Sequence, residues 1–471
     1  MTSDPTQEVA AFGAKSIGFV GSLSMLLNNI LGPGIANFPA IYQRAGWAPP
    51  SALVLVCALS SLAGGELLVM AVRSMPGNND FGQRVEYSTL LRHYFRSRAA
   101  VAGIVLFLLA MLSANISNII QTAQVFDQTI DALFGDSCAL EVYPSLFRFF
   151  CNTNSTDITP FGTGKVLLSV GAVAVATLSV PLGYWNLDDN IVVQNVALLF
   201  ILLSLLLWFA IFLALGLEPQ RTPFSRAGEG LSNLHGVGGT ILFNFMFIST
   251  LPSWLCEKRP TVTAVRVIFC TLVLASFMFA AVGLGGGMGF REYYNTDNTL
   301  LSELHHISRP KSLKVLASFS VDVYAIAANL ASIPIYSIMV RYNLVEQQIL
   351  GPRRAGFVAV ILPWVLGVTF YCGTGFAMVV QYAGTFTSSI VNLIVPSLLF
   401  IAAQRSSHPL GPSELQSLSS PGQPLALVRD RSGLLTSSRQ RKVWLAIAWA
   451  NVAVMSLLTL VSIADQLANG A

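Results

Sequence analysis

Apolar residues fall into long runs separated by short polar stretches from one end of the chain to the other. A helix needs about 20 mostly apolar residues to cross the hydrocarbon of a bilayer. By that length the pattern predicts eleven membrane-spanning helices, starting near Ser16, Pro49, Ala99, Lys165, Ile191, Gly236, Thr263, Leu313, Gly356, Thr385 and Val443. The ninth and tenth run together through YCGTGFAMVVQYAGTF. The expected organisation is an N-terminal tail over 1–15, a ten-helix core over 16–403, a disordered loop over 404–442, and the eleventh helix with a C-terminal tail over 443–471. The 404–442 loop is rich in Ser and Pro and ends in a basic cluster, which suits a solvated linker or a docking place for a cytoplasmic regulator.

Composition agrees: 54% of the residues are hydrophobic and 11% charged, with mean hydropathy +0.63. Soluble domains carry about 25% charged residues, so the chain reads as one polytopic membrane unit with no enzyme domain attached. The start, MTSDPTQEVAAFGAK, lacks the basic stretch and cleavage site of a signal peptide, so the first span is expected to be retained. A net charge of +4 does not point to nucleic acid, because membrane proteins concentrate Lys and Arg in cytoplasmic loops. With the N-terminus inside, 18 of the 27 basic residues fall on the cytoplasmic side and 9 on the other. The loop between spans three and four carries Cys138, Cys151 and the sequon Asn154-Ser155-Thr156. A disulfide and a glycan both require the non-cytoplasmic side, which is where the charge count puts this loop. Cys57, Cys256, Cys270 and Cys372 lie in or near apolar spans and read as packing residues.

Two spans are interrupted. In the first, NNILGPGIANFP places Gly32, Pro33 and Gly34 inside an apolar run, although a helix interior disfavours Gly by about 1 and Pro by about 3 kcal/mol relative to Ala. Irregular backbone persists at membrane depth only where it is buried in protein or lines a polar cavity. A broken helix there frees N–H groups that attract an anion and C=O groups that attract a cation, and an amino acid zwitterion has one of each. Transporters built from two inverted repeats break the first helix of each repeat. Five spans later, GTILFNFMFISTLPSWLCEK carries Asn244, Ser249, Thr250, Pro252 and Ser253 at the matching place. Ionisable groups within spans are few, Glu66 in the second and Asp322 in the eighth, and both are candidates for proton coupling or for structural hydrogen bonds. Asn28, Asn29, Asn115, Asn118, Asn195, Asn329, Ser332 and Asn392 suit an interior that holds a polar solute or helix-packing contacts. The run GLGGGMGF lacks the Lys-Ser/Thr of a phosphate loop and reads as close helix packing. His305, His306 and Glu303 lack the further ligands of a metal site, and no nucleophile, base and orienter set emerges.

These motifs resemble the amino acid/auxin permease family of the amino acid, polyamine and organocation superfamily. The likeness rests on NNILGPGIANFPAIYQRAGW, SMPGNNDFGQRVEYSTLLRHYF, NIIQTAQVFDQ, PLGYWNLDDNIVVQ, FISTLPSWLCEKRP and SIPIYSIMVRYNL, and covers almost the whole membrane region. It implies an all-α, LeuT-type fold of inverted five-helix repeats with helices one and six broken, and amino acid transport driven by Na+ or H+ with no bound cofactor. Residue by residue, Gly32, Pro33, Gly34 and Ile35 match the segment that receives the substrate carboxylate. Phe247, Ile248, Ser249 and Thr250 match the segment facing the amino group and side chain. Asn28 and Ser332 match positions that sodium-coupled members use around the cation. The chain departs at Pro33, where many sodium-coupled relatives have serine, so one N–H is missing from the cradle. Other readings are a transporter of a polyamine or auxin-like acid and an amino acid sensor with little transport; the membrane expected is plasma, vacuolar or lysosomal.

Overall fold

The computed structural model describes residues 14–152, 160–162, 164–226, 234, 237–245, 247–290, 300, 304, 311–372, 386–406 and 438–469. Among these, nine helices are long and apolar enough to span a bilayer, and a bent pair, Phe19–Ile30 with Gly34–Ala45, makes a tenth with a 50° angle at its break. The chain is a multi-pass membrane protein. Leu59, Val105, Leu206 and Phe277 are exposed on the spanning helices, as lipid-facing side chains are, while the largest cluster of buried residues includes both interrupted spans.

The fourth expected span differs from its hydropathy. Its first residues, Val166–Ser169, form a strand, and the helix runs only over Val170–Tyr184. Fifteen residues at 1.5 Å each give about 22 Å, short of the roughly 30 Å of hydrocarbon. The strand belongs to a three-stranded antiparallel sheet outside the helices: β1 (Ser137–Tyr143) pairs with β2 (Arg148–Asn152) and with β3 (Val166–Ser169). Cys138 faces Cys151 in the β1–β2 register, and the two are joined as a disulfide. The buried Asp127 on the third span anchors this sheet, accepting from Ser137 Oγ at 2.9 Å, the Gly171 N–H at 2.9 Å and Tyr371 Oη at 2.6 Å.

The last helix, Ser438–Asn469, begins five residues before the expected 443, and helix Val395–Ser406 continues into the start of the 404–442 segment. Both ends of that segment are therefore helical, and the remainder lies outside the described residues, as do Asn154, Glu303, His305 and His306.

Glycines bring the seventh span (Ala264–Gly289) against the trailing half of the first (Phe38–Ala45). A Cβ added at Gly283 would stand 2.6 Å from the Tyr42 ring, and one at Gly286 2.6 Å from Pro39. Gln43 closes this contact by donating to the carbonyls of Gly287 and Phe290. Phe279 stacks on Phe38 at 4.6 Å and meets Phe245 edge-on at 5.6 Å, which joins both interrupted spans to the seventh.

Candidate functional site

The leading half of the first span ends at Ile30, and a 3-10 turn over Pro33–Asn37 precedes the trailing half. Gly32 is extended between them, with φ −74° and ψ −176°. The sixth span is divided likewise: Val237–Asn244, then a 3-10 turn over Ile248–Thr250, then Leu251–Glu257. The backbone groups freed by the breaks are partly satisfied from other spans. Tyr324 Oη, on the eighth, lies 3.1 Å from the Leu31 carbonyl oxygen and 3.2 Å from that of Gly32. Asn392 Oδ1 accepts from the Ser249 N–H at 2.8 Å, and this asparagine sits in a π-helical turn over Ile390–Ile394, a distortion frequent at functional sites.

The two breaks face each other. A Cβ added at Gly34 would lie 2.6 Å from both amide-head atoms of Asn244, whereas one at Gly32 would meet nothing within 4 Å. Open space thus adjoins the first break, with the Asn244 amide packed on the next turn. Asn244 Nδ2 donates to the Thr240 carbonyl, and its buried Oδ1 has no hydrogen-bond partner among the described residues. Ile35, Phe247, Ile248, Ser249 and Thr250 are all buried at this level, Ser249 Oγ lies 3.9 Å from Met111 Sδ, and Thr250 Oγ1 donates to the Phe247 carbonyl.

Asn28 is buried one turn before the break. Its Nδ2 donates to the backbone carbonyl and to Oε1 of Gln194, while Gln194 Nε2 donates to the Ala331 carbonyl on the eighth span. Asn28 Oδ1 is buried with no hydrogen-bond partner among the described residues, and Ser332, next to Ala331, returns its hydroxyl to the Ala328 carbonyl. Gln194 therefore links the first span to the eighth; the neighbouring Asn195, expected in a polar interior or in helix packing, is exposed. Glu66 and Asp322 are half-buried on their helices.

Besides Asp127 and Glu141 at the sheet, two carboxyls are deeply buried towards the end of the fold that carries the N-terminus. Glu257, at the end of the sixth span, accepts from Tyr342 Oη at 2.7 Å and from the Asp188 N–H at 2.9 Å. Glu86 lies between the second and third spans, just before the short helix Tyr87–Tyr94, and is 1% exposed. It accepts from Ser253 Oγ of the sixth span at 2.5 Å and from Asn343 Nδ2 of the eighth at 3.3 Å. Burial pushes its carboxyl up to about 8; the nearby Glu257 and Glu346 add to the rise, while the Ser253 bond and Arg84 oppose it. Glu86 lies outside the apolar runs, so hydropathy gives no sign of its burial. The signal available was the apolar pair Leu90 and Leu91 just after it, both buried against the spans.

No family model matches the chain, and no curated protein matches it. Solved structures do. A nucleobase-cation-symport-1 family transporter, in a closed conformation with bromovinylhydantoin bound, aligns with TM-score 0.55 and 13% identity over 98% of this chain and 93% of that one. The Eremococcus coleocola manganese transporter, in complex with an aromatic bis-isothiourea substituted compound, aligns with TM-score 0.51 and 14% identity over 99% and 96%. At such identities the likeness defines the fold. The architecture is the LeuT type, a mostly helical membrane protein whose first and sixth helices are broken, with the small sheet over β1–β3 departing from the all-α expectation.

Proposed function

We propose that the chain is a secondary active transporter of amino acids, of the amino acid/auxin permease kind, working by cation-coupled alternating access around the two helix breaks. The observation that carries this reading is the space beside Gly32. It adjoins the first turn after the break, where Pro33 has no N–H and the Ile35 N–H donates to the Gly32 carbonyl, so the Gly34 N–H is the donor that turn can offer, and Asn244 of the sixth span packs beside Gly34. A carboxylate suits the Gly32–Ile35 side, and the ammonium and side chain suit the Phe247–Thr250 side. The transporters of similar fold support transport over enzymatic chemistry.

For the driving ion, the Oδ1 of buried Asn28, without a partner among the described residues, supports a sodium site shared with Ser332. Two of the carbonyls at that helix end already receive Tyr324, so the oxygen cluster would rest on Asn28 more than on Leu31 and Gly32. An uptake screen over amino acids, with sodium and pH gradients imposed separately, tests substrate and ion together. Uptake of a polyamine or auxin-like acid in place of any amino acid contradicts the substrate; specific amino acid binding without uptake makes the protein a sensor.

A further inference from the structure

A cavity of about 280 Å³ lies at the end of the bundle that carries the N-terminus, lined by Gly18, Phe19, Arg259, Thr261, Val262, Thr263 and Arg266. It falls just below the roughly 300–1,000 Å³ usual for small-molecule sites, a size for a headgroup rather than for a whole lipid. Its polar lining is cationic and hydrogen-bond donating. Arg266 is exposed, with its guanidinium held over the Phe19 ring at 5.6 Å from the centroid. Arg259 uses Nε to donate to the Ser16 carbonyl at 2.7 Å, and its Nη1 would stand 4.0 Å from a Cβ added at Gly18, beside the cavity. No ion pair with a carboxylate is seen for Arg259 or Arg266 among the described residues. The hydroxyl of Thr263 does not cap the helix that begins at Ala264.

The surroundings indicate where the anion comes from. Val20, Val265 and Phe269 are exposed apolar residues on the two helices that border the cavity, so its flank faces lipid tails while its arginines stand at the headgroup level. Arginine matches phosphate geometry with paired donors, and basic pockets between helices at the cytoplasmic side are suited to lipid headgroups. We propose that this cavity binds the phosphate of an anionic phospholipid of the leaflet on the N-terminal side, held by Arg259 and Arg266.

The site touches both interrupted spans. Ile17 forms a parallel backbone bridge with Lys258: the Ile17 N–H donates to the Glu257 carbonyl and the Arg259 N–H to the Ile17 carbonyl. A phosphate between Gly18 and Arg259 would sit beside this clip and favour the conformation in which the first span is fastened to the end of the sixth.

The test uses the purified full-length chain in nanodiscs of phosphatidylcholine, with phosphatidylserine added in steps, and native mass spectrometry to count retained anionic lipid. At about 1 kcal/mol for each basic residue near the surface, Arg266→Gln should weaken retention about fivefold, and the Arg259→Gln/Arg266→Gln pair about thirtyfold. Arg266 makes no backbone contact in the clip, so its single variant reports binding even where the double variant folds poorly. The control pair Arg353→Gln/Arg354→Gln, exposed at the start of the ninth span, should leave retention unchanged. Equal loss in the control pair would reduce the effect to general surface charge and overturn the site. Displacement of the lipid by equimolar inorganic phosphate would overturn the lipid as its occupant, and unchanged retention in Arg266→Gln would overturn the proposal outright.

Discussion

Replacing Glu86 by Gln should change how stability depends on pH, and the structure sets the size of the change. The carboxyl is fully enclosed, held by Ser253 and Asn343, and shifted from an ordinary 4.5 to about 8 chiefly by burial. Between those two values the folded chain holds a proton that the unfolded chain has released. The stabilisation from this group is therefore complete below about 4.5 and is lost as pH rises through about 8. At 1.36 kcal/mol for each unit, the whole loss is on the order of 5 kcal/mol. Gln has the same shape, keeps an oxygen for the Ser253 hydroxyl, and does not ionise. Thermal or denaturant unfolding of the two proteins across pH 5–9 isolates the term as a difference. The wild type should lose stability relative to Glu86→Gln as pH rises, with the variant at least as stable above pH 8. Parallel curves for the two proteins, or a wild type that gains on the variant with rising pH, would refute the burial argument.

Three further outcomes follow from the same geometry. Gly34→Val should abolish uptake with little loss of membrane expression, because the added side chain meets Asn244 at 2.6 Å; overpacking of this kind costs about 1–3 kcal/mol, and Gly32→Ala, which meets nothing, should fold normally and raise the apparent KM by filling the cradle. Removing the Cys138–Cys151 link, which closes a 13-residue separation, should cost roughly 3 kcal/mol in the chain-entropy model, seen as earlier unfolding of the sheet under non-reducing conditions; no difference from wild type would mean that the Asp127 anchor alone holds the sheet. Asn28→Ala should weaken sodium dependence and raise the apparent KM, with Glu66→Gln leaving coupling intact, whereas uptake that ignores sodium, follows the pH gradient and dies with Glu66→Gln or Asp322→Asn would replace the sodium route by a carboxyl.

The breaks were legible because they violate helix chemistry locally: Gly32, Pro33 and Gly34 have no other reason to stand in an apolar run, and Ser249, Thr250 and Pro252 repeat the violation five spans later. The glycine run of the seventh span was legible for a similar reason, since a residue without a Cβ marks a close approach. The sheet over Ser137–Ser169 was not, because β1 pairs with a strand almost thirty residues away and VLLS is as apolar as the helix that follows it. Glu86 and Glu257 escaped because hydropathy assigns any charge near a span end to water. Their burial depends on Ser253, Asn343 and Tyr342, contributed by distant spans, and no window along the chain contains those partners. Gln194 was missed for the same reason, one residue from the asparagine that drew attention.

The central claim is that a solute crosses at the two facing breaks. Its most direct measurement is concentrative uptake of labelled amino acids into proteoliposomes holding the purified chain, with wild type and Gly34→Val compared under an imposed sodium gradient and then under an imposed proton gradient. The account predicts accumulation above the outside concentration in the wild type, collapse when the driving gradient is dissipated, and none in Gly34→Val. Equilibration without accumulation, or equal accumulation by the variant, would contradict it.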